Sequence, residues 1–123
     1  MNYQSPGPIP DPFPEPEWPP IQNLEEVDLV GVRQDGGVDL VIVVSQPLDD
    51  SDEVLNSIVE KVETYLQVTE LEEFLTEMGN PERDKIRIVI DCSFPIHPTA
   101  QGVIEKCRDF VVQTGLSFEN KSR

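Results

Sequence analysis

The chain has 123 residues, with 24 acidic and 9 basic side chains, one His, two Cys and 12 Pro. That is one domain's length, and a net charge of −15 excludes a protein that grips nucleic-acid phosphates with Lys and Arg. No apolar run approaches the ~18 residues of a membrane span, and two cysteines supply neither a disulfide framework nor a four-thiolate zinc site.

The first residues, MNYQSPGPIPDPFPEPEW, lack the basic and apolar regions of a secretory signal, so a cytoplasmic protein is expected. Eight of the 12 prolines fall between Pro6 and Pro20. Proline fixes φ and lacks an N–H, so residues 1–23 are expected as an extended, polyproline-like arm. Such an arm is usually solvated. Phe13, Trp18 and Ile21 would instead let it dock on an apolar surface. The stretch Pro6-Gly7-Pro8-Ile9-Pro10 has the look of a ligand for an aromatic-lined groove, without the flanking basic residues.

Residues 24–118 read as a single α+β domain, with 119–123 frayed. Val27 to Arg33 and Val38 to Ser45 are β-branched runs separated by Gln34-Asp35-Gly36-Gly37, the pattern of an antiparallel hairpin. Asp49-Asp50-Ser51-Asp52 supplies short acceptors and negative charge for a helix start. Leu55, Ile58, Val59, Val62, Tyr65 and Leu66 follow at helical spacing. Thr69-Glu70-Leu71-Glu72 then reads as a second capping box, opening a stripe of Leu71, Phe74, Leu75 and Met78 that Gly79-Asn80-Pro81 closes. The spacing fits either one kinked helix or two joined helices.

Lys85 to Phe94 is the third predicted strand, with Ile86, Ile88, Ile90, Cys92 and Phe94 on one face. A helix is expected from Pro98 or Thr99 to Gln113, with Gly115 as its cap and an apolar stripe of Ala100, Val103, Ile104, Cys107, Phe110 and Val111. Leu116-Ser117-Phe118 would add a short fourth strand. The order β-β-α-β-α(-β) predicts a small mixed sheet of three or four strands with two helices on one face.

Val27-Asp28-Leu29-Val30-Gly31, Gly37-Val38-Asp39-Leu40-Val41-Ile42 and Glu60-Lys61-Val62-Glu63-Thr64-Tyr65-Leu66 resemble a family of small uncharacterised bacterial α+β domains. Its pattern is a strand hairpin, a helix carrying Lys-apolar-x-x-Tyr-Leu, a strand led by Lys or Arg as in Lys85-Ile86-Arg87-Ile88-Val89-Ile90, a Pro turn and a closing helix. Leu48-Asp49-Asp50 departs from it where an aromatic residue would stand. The resemblance spans about residues 24 to 118 and implies a fold without implying an activity.

Three groups of residues are candidates for function. Cys92, with His97 as base and Asp91 as orienter, is the arrangement a small thiol-dependent enzyme would need; the period-2 pattern nevertheless puts Cys92 among core residues, as a small hydrophobe. His97 reads as a surface residue beside a helix N-terminus. Val30, Val32, Val41, Val43 and Val89 would form a band on the sheet face away from the helices, open to a protein partner or to a second copy of the chain. Residues 49–77 carry ten acids and one Lys. Glu70, Glu72, Glu73 and Glu77 there would dock a basic protein partner, with nucleic-acid mimicry as a weaker alternative. Asp49, Asp50, Asp52 and Glu53 lack the spacing of a calcium loop, and no metal, cofactor or membrane contact is expected. The expectation is therefore a non-enzymatic interaction domain in an inhibitory, immunity-type or accessory role.

Overall fold

A computed structural model describes residues 19–122; the expectations for Pro6 to Trp18 and for Arg123 concern residues outside that range. In chain order the elements are β1 (Leu29–Val32), β2 (Val38–Val44), α1 (Asp52–Val68), α2 (Glu72–Glu77), a 3-10 turn (Arg83–Lys85), β3 (Ile86–Cys92), α3 (Pro98–Gln113) and β4 (Ser117–Ser122). The four strands form one sheet in the order β1-β2-β3-β4. β1 runs antiparallel to β2, whereas β2, β3 and β4 are mutually parallel.

This layout follows from chain chirality. The connections β2-α1-β3 and β3-α3-β4 step across the sheet in the same direction. Right-handed crossovers then put both helices on the same side. The core lies between them: Val38, Leu40, Ile42, Ile86, Ile88 and Ile90 from the sheet meet Ile58, Val62 and Tyr65 of α1 and Ala100, Ile104 and Val111 of α3. Ser51 caps α1 by accepting from the Val54 N–H at 3.3 Å, and Asp49 in turn accepts from the Ser51 N–H and hydroxyl. Gly115, at φ +94°, takes the left-handed conformation that closes α3.

The structure departs from expectation at four places. The predicted capping box at Thr69 does not form. Thr69 is the buried C-cap of α1, its hydroxyl donating back to the Leu66 carbonyl at 2.7 Å, and Leu71 stands before α2 with no side-chain cap. A hydroxyl that bonds back to the preceding turn competes with helix continuation, so the chain has two helices here. Phe94 lies past the end of β3 and is exposed, and Phe110 projects from α3 into solvent. β4 extends through Ser122, so residues 119–122 pair with β3 instead of fraying.

At the start of the domain, Ile21 follows the docked alternative that the sequence left open. Ile21 is part of the core, and the Pro20 carbonyl accepts from the backbone N–H of Ser45 at 2.9 Å. Pro20 and Ile21, counted with the arm from sequence, therefore pack as part of the globular unit. Removing a buried aliphatic side chain costs about 2–5 kcal/mol. Ile21→Ala is accordingly expected to lower the urea midpoint by that much stability with an unchanged m-value.

Candidate functional site

The three residues of the thiol constellation do not converge. Cys92 points into the core and its Sγ donates to the Phe94 carbonyl at 3.3 Å. Asp91, its neighbour on β3, occupies the opposite sheet face, in line with Val43 and Lys121. His97 is the N-cap of α3: Nδ1 accepts from the Thr99 N–H at 3.0 Å, and Nε2 lies 3.8 Å from Asp50 Oδ2. Its surface position beside a helix start is as expected. Burial pushes the Cys92 thiol above its ordinary pKa, and a stronger burial effect, with Glu63 nearby, raises Cys107 to about 11. Both thiols are free. Among the described residues no group of three or more His, Cys, Asp or Glu could hold a metal ion.

The valine band is smaller than the alternation of β1 suggests. In the β1–β2 ladder Val30 pairs with Leu40 and Val32 with Val38, so both valines share the helix-side face of the sheet. They remain exposed because β1 is the sheet edge. Leu29, paired with Val41 and 57 % exposed, takes their place on the open face. The cause is turn length. Arg33 pairs with Gly37 around a three-residue turn in which Gly36 adopts φ +86°, and a turn one residue shorter would have reversed the two faces. Val89 is 1 % exposed and presents almost no surface to a partner.

Beside Val41 and Val89 runs an ion-pair ladder. Arg87 grips both oxygens of Asp39 at 3.0 and 2.8 Å and reaches Glu119 at 2.8 Å. Arg33 also binds Asp39, and its other terminal nitrogen donates to the Lys85 carbonyl at 2.9 Å. Partial burial opposes ionisation of Asp39, but the hydrogen bonds from Arg87 and Arg33 outweigh it and hold the pKa below the usual carboxylate range. Gly37 is packed against this ladder, where a Cβ would fall 2.0 Å from the Arg33 guanidinium.

Segment 49–77 has a sharper organisation. All ten of its carboxylates are exposed, and its one cation, Lys61, is 0 % exposed. Lys61 shares the inward face of α1 with Ile58 and Tyr65, three and four residues away. Its Nζ donates to the carbonyls of Gln22 and Asn23 at 2.7 Å, to that of Glu26 at 2.8 Å and to Asp28 Oδ1 at 2.9 Å. An ammonium has three protons, so four oxygens saturate it. Asp28 Oδ2 accepts from the Val43 N–H, continuing the ladder of β2 past the end of β1. The Asp28 N–H donates to the Tyr65 hydroxyl at 2.8 Å, which donates to the Val41 carbonyl at 2.6 Å. Burial raises the Tyr65 phenol pKa. This knot ties the segment after the arm, α1 and β2 together.

Sequence reasoning met Lys61 and Tyr65 only as part of the resembled pattern Lys-apolar-x-x-Tyr-Leu and gave neither a role. The readable signal was a lone Lys in register with an apolar stripe. Removing one partner of a buried charge pair costs about 3–5 kcal/mol, and deleting a hydroxyl that serves two buried groups costs about 1–3 kcal/mol. Lys61→Met and Tyr65→Phe are expected to lose stability in those ranges, by urea denaturation, with the Lys variant the worse. For the thiols, raised pKa values mean fewer thiolates at a given pH. Alkylation of both cysteines near pH 8 is expected to be much slower in the folded chain than in guanidinium, and to show no inflection near neutral pH.

A model of a family of unknown function (DUF6572) matches residues 20–123, a span that includes the buried Ile21. No curated protein and no solved structure matches the chain significantly. No described helix is long and apolar enough to cross a membrane. The chain belongs to this family of unknown function.

Proposed function

We propose that this family member is a non-enzymatic interaction domain whose acidic helical surface docks a basic protein partner. The observation that supports the reading is the charge partition of residues 49–77: ten carboxylates face solvent while the one ammonium of the segment is enclosed by oxygen atoms. Ordinary surfaces intersperse the two signs. Here the helices α1 and α2 and their flanks carry one sign only. Glu70, Glu72, Glu73 and Glu77 lie together on and before α2, whose residues are nowhere buried, so they are free to meet another molecule.

A one-signed surface of this kind accelerates encounter with an oppositely charged partner and rejects like-charged ones. It adds less to the lifetime of the complex, which depends on desolvated contacts at the centre of the interface. Binding of this type weakens with salt, because exposed charges more than about 8 Å apart are screened at physiological ionic strength.

The test uses a protein captured from lysate by the immobilised chain, then purified and titrated against it. Reversing Glu70, Glu72, Glu73 and Glu77 to Lys is expected to weaken that complex by about tenfold or more, chiefly through the association rate. The exposed positions leave the thermal midpoint of the domain nearly unchanged. A partner that binds the charge-reversed chain equally well, or that is indifferent to raising salt from about 0.1 to about 0.5 M, overturns the reading.

A further inference from the structure

The seam between α1 and α3 carries an exposed apolar surface that the acidic docking reading does not use. Two adjoining hollows of about 380 and 220 Å³ lie along it and share Glu63 and Phe110. Val59, Val62, Val103 and Cys107 line the first hollow, and Leu66 and Thr114 help to line the second. Phe110 stands 55 % exposed and Val59 41 % exposed. Exposed aromatic groups beside apolar hollows mark interaction surfaces.

The charges bordering the seam distinguish it from the rest of the molecule. Glu63 and Glu70 belong to the α1 side, and Lys106 and Arg83 to the α3 side, where Arg83 Nε donates to the Thr114 carbonyl at 2.5 Å. Two acids thus face two bases, on a chain whose net charge is −15. A uniformly basic partner helix would meet repulsion from Lys106 and Arg83, so this seam is poorly suited to the partner that the acidic surface favours.

A second copy of the chain suits it better. Both helices run back against parallel strands and are therefore parallel to each other. A two-fold axis along the seam keeps every residue at its own level and exchanges the two banks. Glu63 then meets Lys106 of the second copy, and Glu70 meets its Arg83, each pair occurring twice, while Phe110 is covered by the facing α1. Such an isologous contact is closed, as dimer interfaces usually are. We infer that the α1–α3 seam is a self-association surface, occupied by the same seam of a second copy of this chain. Two helices about 25 Å long and about 10 Å wide offer a footprint of roughly 500 Å², which puts the contact at the weak, reversible end of the range. The net charge opposes association and is progressively screened by salt. The dimer should therefore tighten as salt rises, the reverse of the acidic docking surface; the two readings share Glu70, so the variants that test the seam leave it unchanged and the two stand or fall separately.

The experiment is sedimentation of the full chain over a wide concentration range, at about 0.05, 0.15 and 0.5 M NaCl. A reversible monomer–dimer equilibrium that strengthens with salt is expected. Glu63→Lys and Lys106→Glu should each weaken the dimer about tenfold, and an equimolar mixture of the two variants should restore it, because each then offers what the other lacks. Phe110→Ser, at an exposed position that the fold tolerates, should also weaken it. Circular dichroism melts check that every variant is folded. A chain that stays monomeric throughout, a dimer indifferent to these changes (as one through the open sheet face would be), or a mixture that fails to recover would each overturn the inference.

Discussion

One enclosed ammonium organises this domain. Taking a Lys side chain out of water costs several kcal/mol, and that cost is offset only when its protons are all satisfied at good geometry. Lys61 meets the condition with three carbonyls and a carboxylate, all between 2.7 and 2.9 Å. Three of those oxygens belong to backbone that forms neither helix nor strand, between Gln22 and Glu26. Asn23 supports the turn there by adopting φ +53°, a conformation Asn accepts more readily than most residues. The ammonium acts as a template for an otherwise irregular segment, which the Thr64 hydroxyl also holds by donating to the Leu24 carbonyl at 2.5 Å. The same contacts hold the segment that follows the buried Ile21 against α1.

The knot has a second effect, on the outside of the molecule. A lysine at an exposed position of α1 would have paired with neighbouring carboxylates and diluted the acidic surface. Its withdrawal into the core leaves that surface with a single sign. Interior satisfaction and exterior field therefore come from one residue. The open sheet face is organised differently, since Arg33, Asp39, Arg87 and Glu119 neutralise one another there. The α1–α3 seam is balanced too, with its acids and bases on opposite banks.

The sheet shows how small a difference in chain length decides what is displayed. The hairpin turn from Arg33 to Gly37 needs a left-handed Gly36 and has three residues between the paired positions. Strand side chains alternate with period two, so one residue more or less in the turn moves the whole of β1 to the other face. Val30 and Val32 fall on the helix side for this reason, and Leu29 takes the open face.

Sequence alone determined the element types, their rough order and the placing of the helices on one side of the sheet, with the division of the first helical stretch and the last strand left open, because apolar periodicity, Pro and Gly punctuation and the right-handed crossover are local or chiral constraints. It also determined that Cys92 lies in the core, since a period of two cannot place it with Asp91. The charge of segment 49–77 was equally legible, as a count. Tertiary structure decided the rest: which strand face β1 presents, that Ile21 joins the core, that Phe110 stays outside and that Lys61 goes inside. The face of β1 depends on a turn's length, and the burial of Lys61 on carbonyl oxygens brought from 35 to 39 residues away in the chain. Backbone carbonyls are alike at every residue, so no side-chain pattern announces which three will gather around one ammonium.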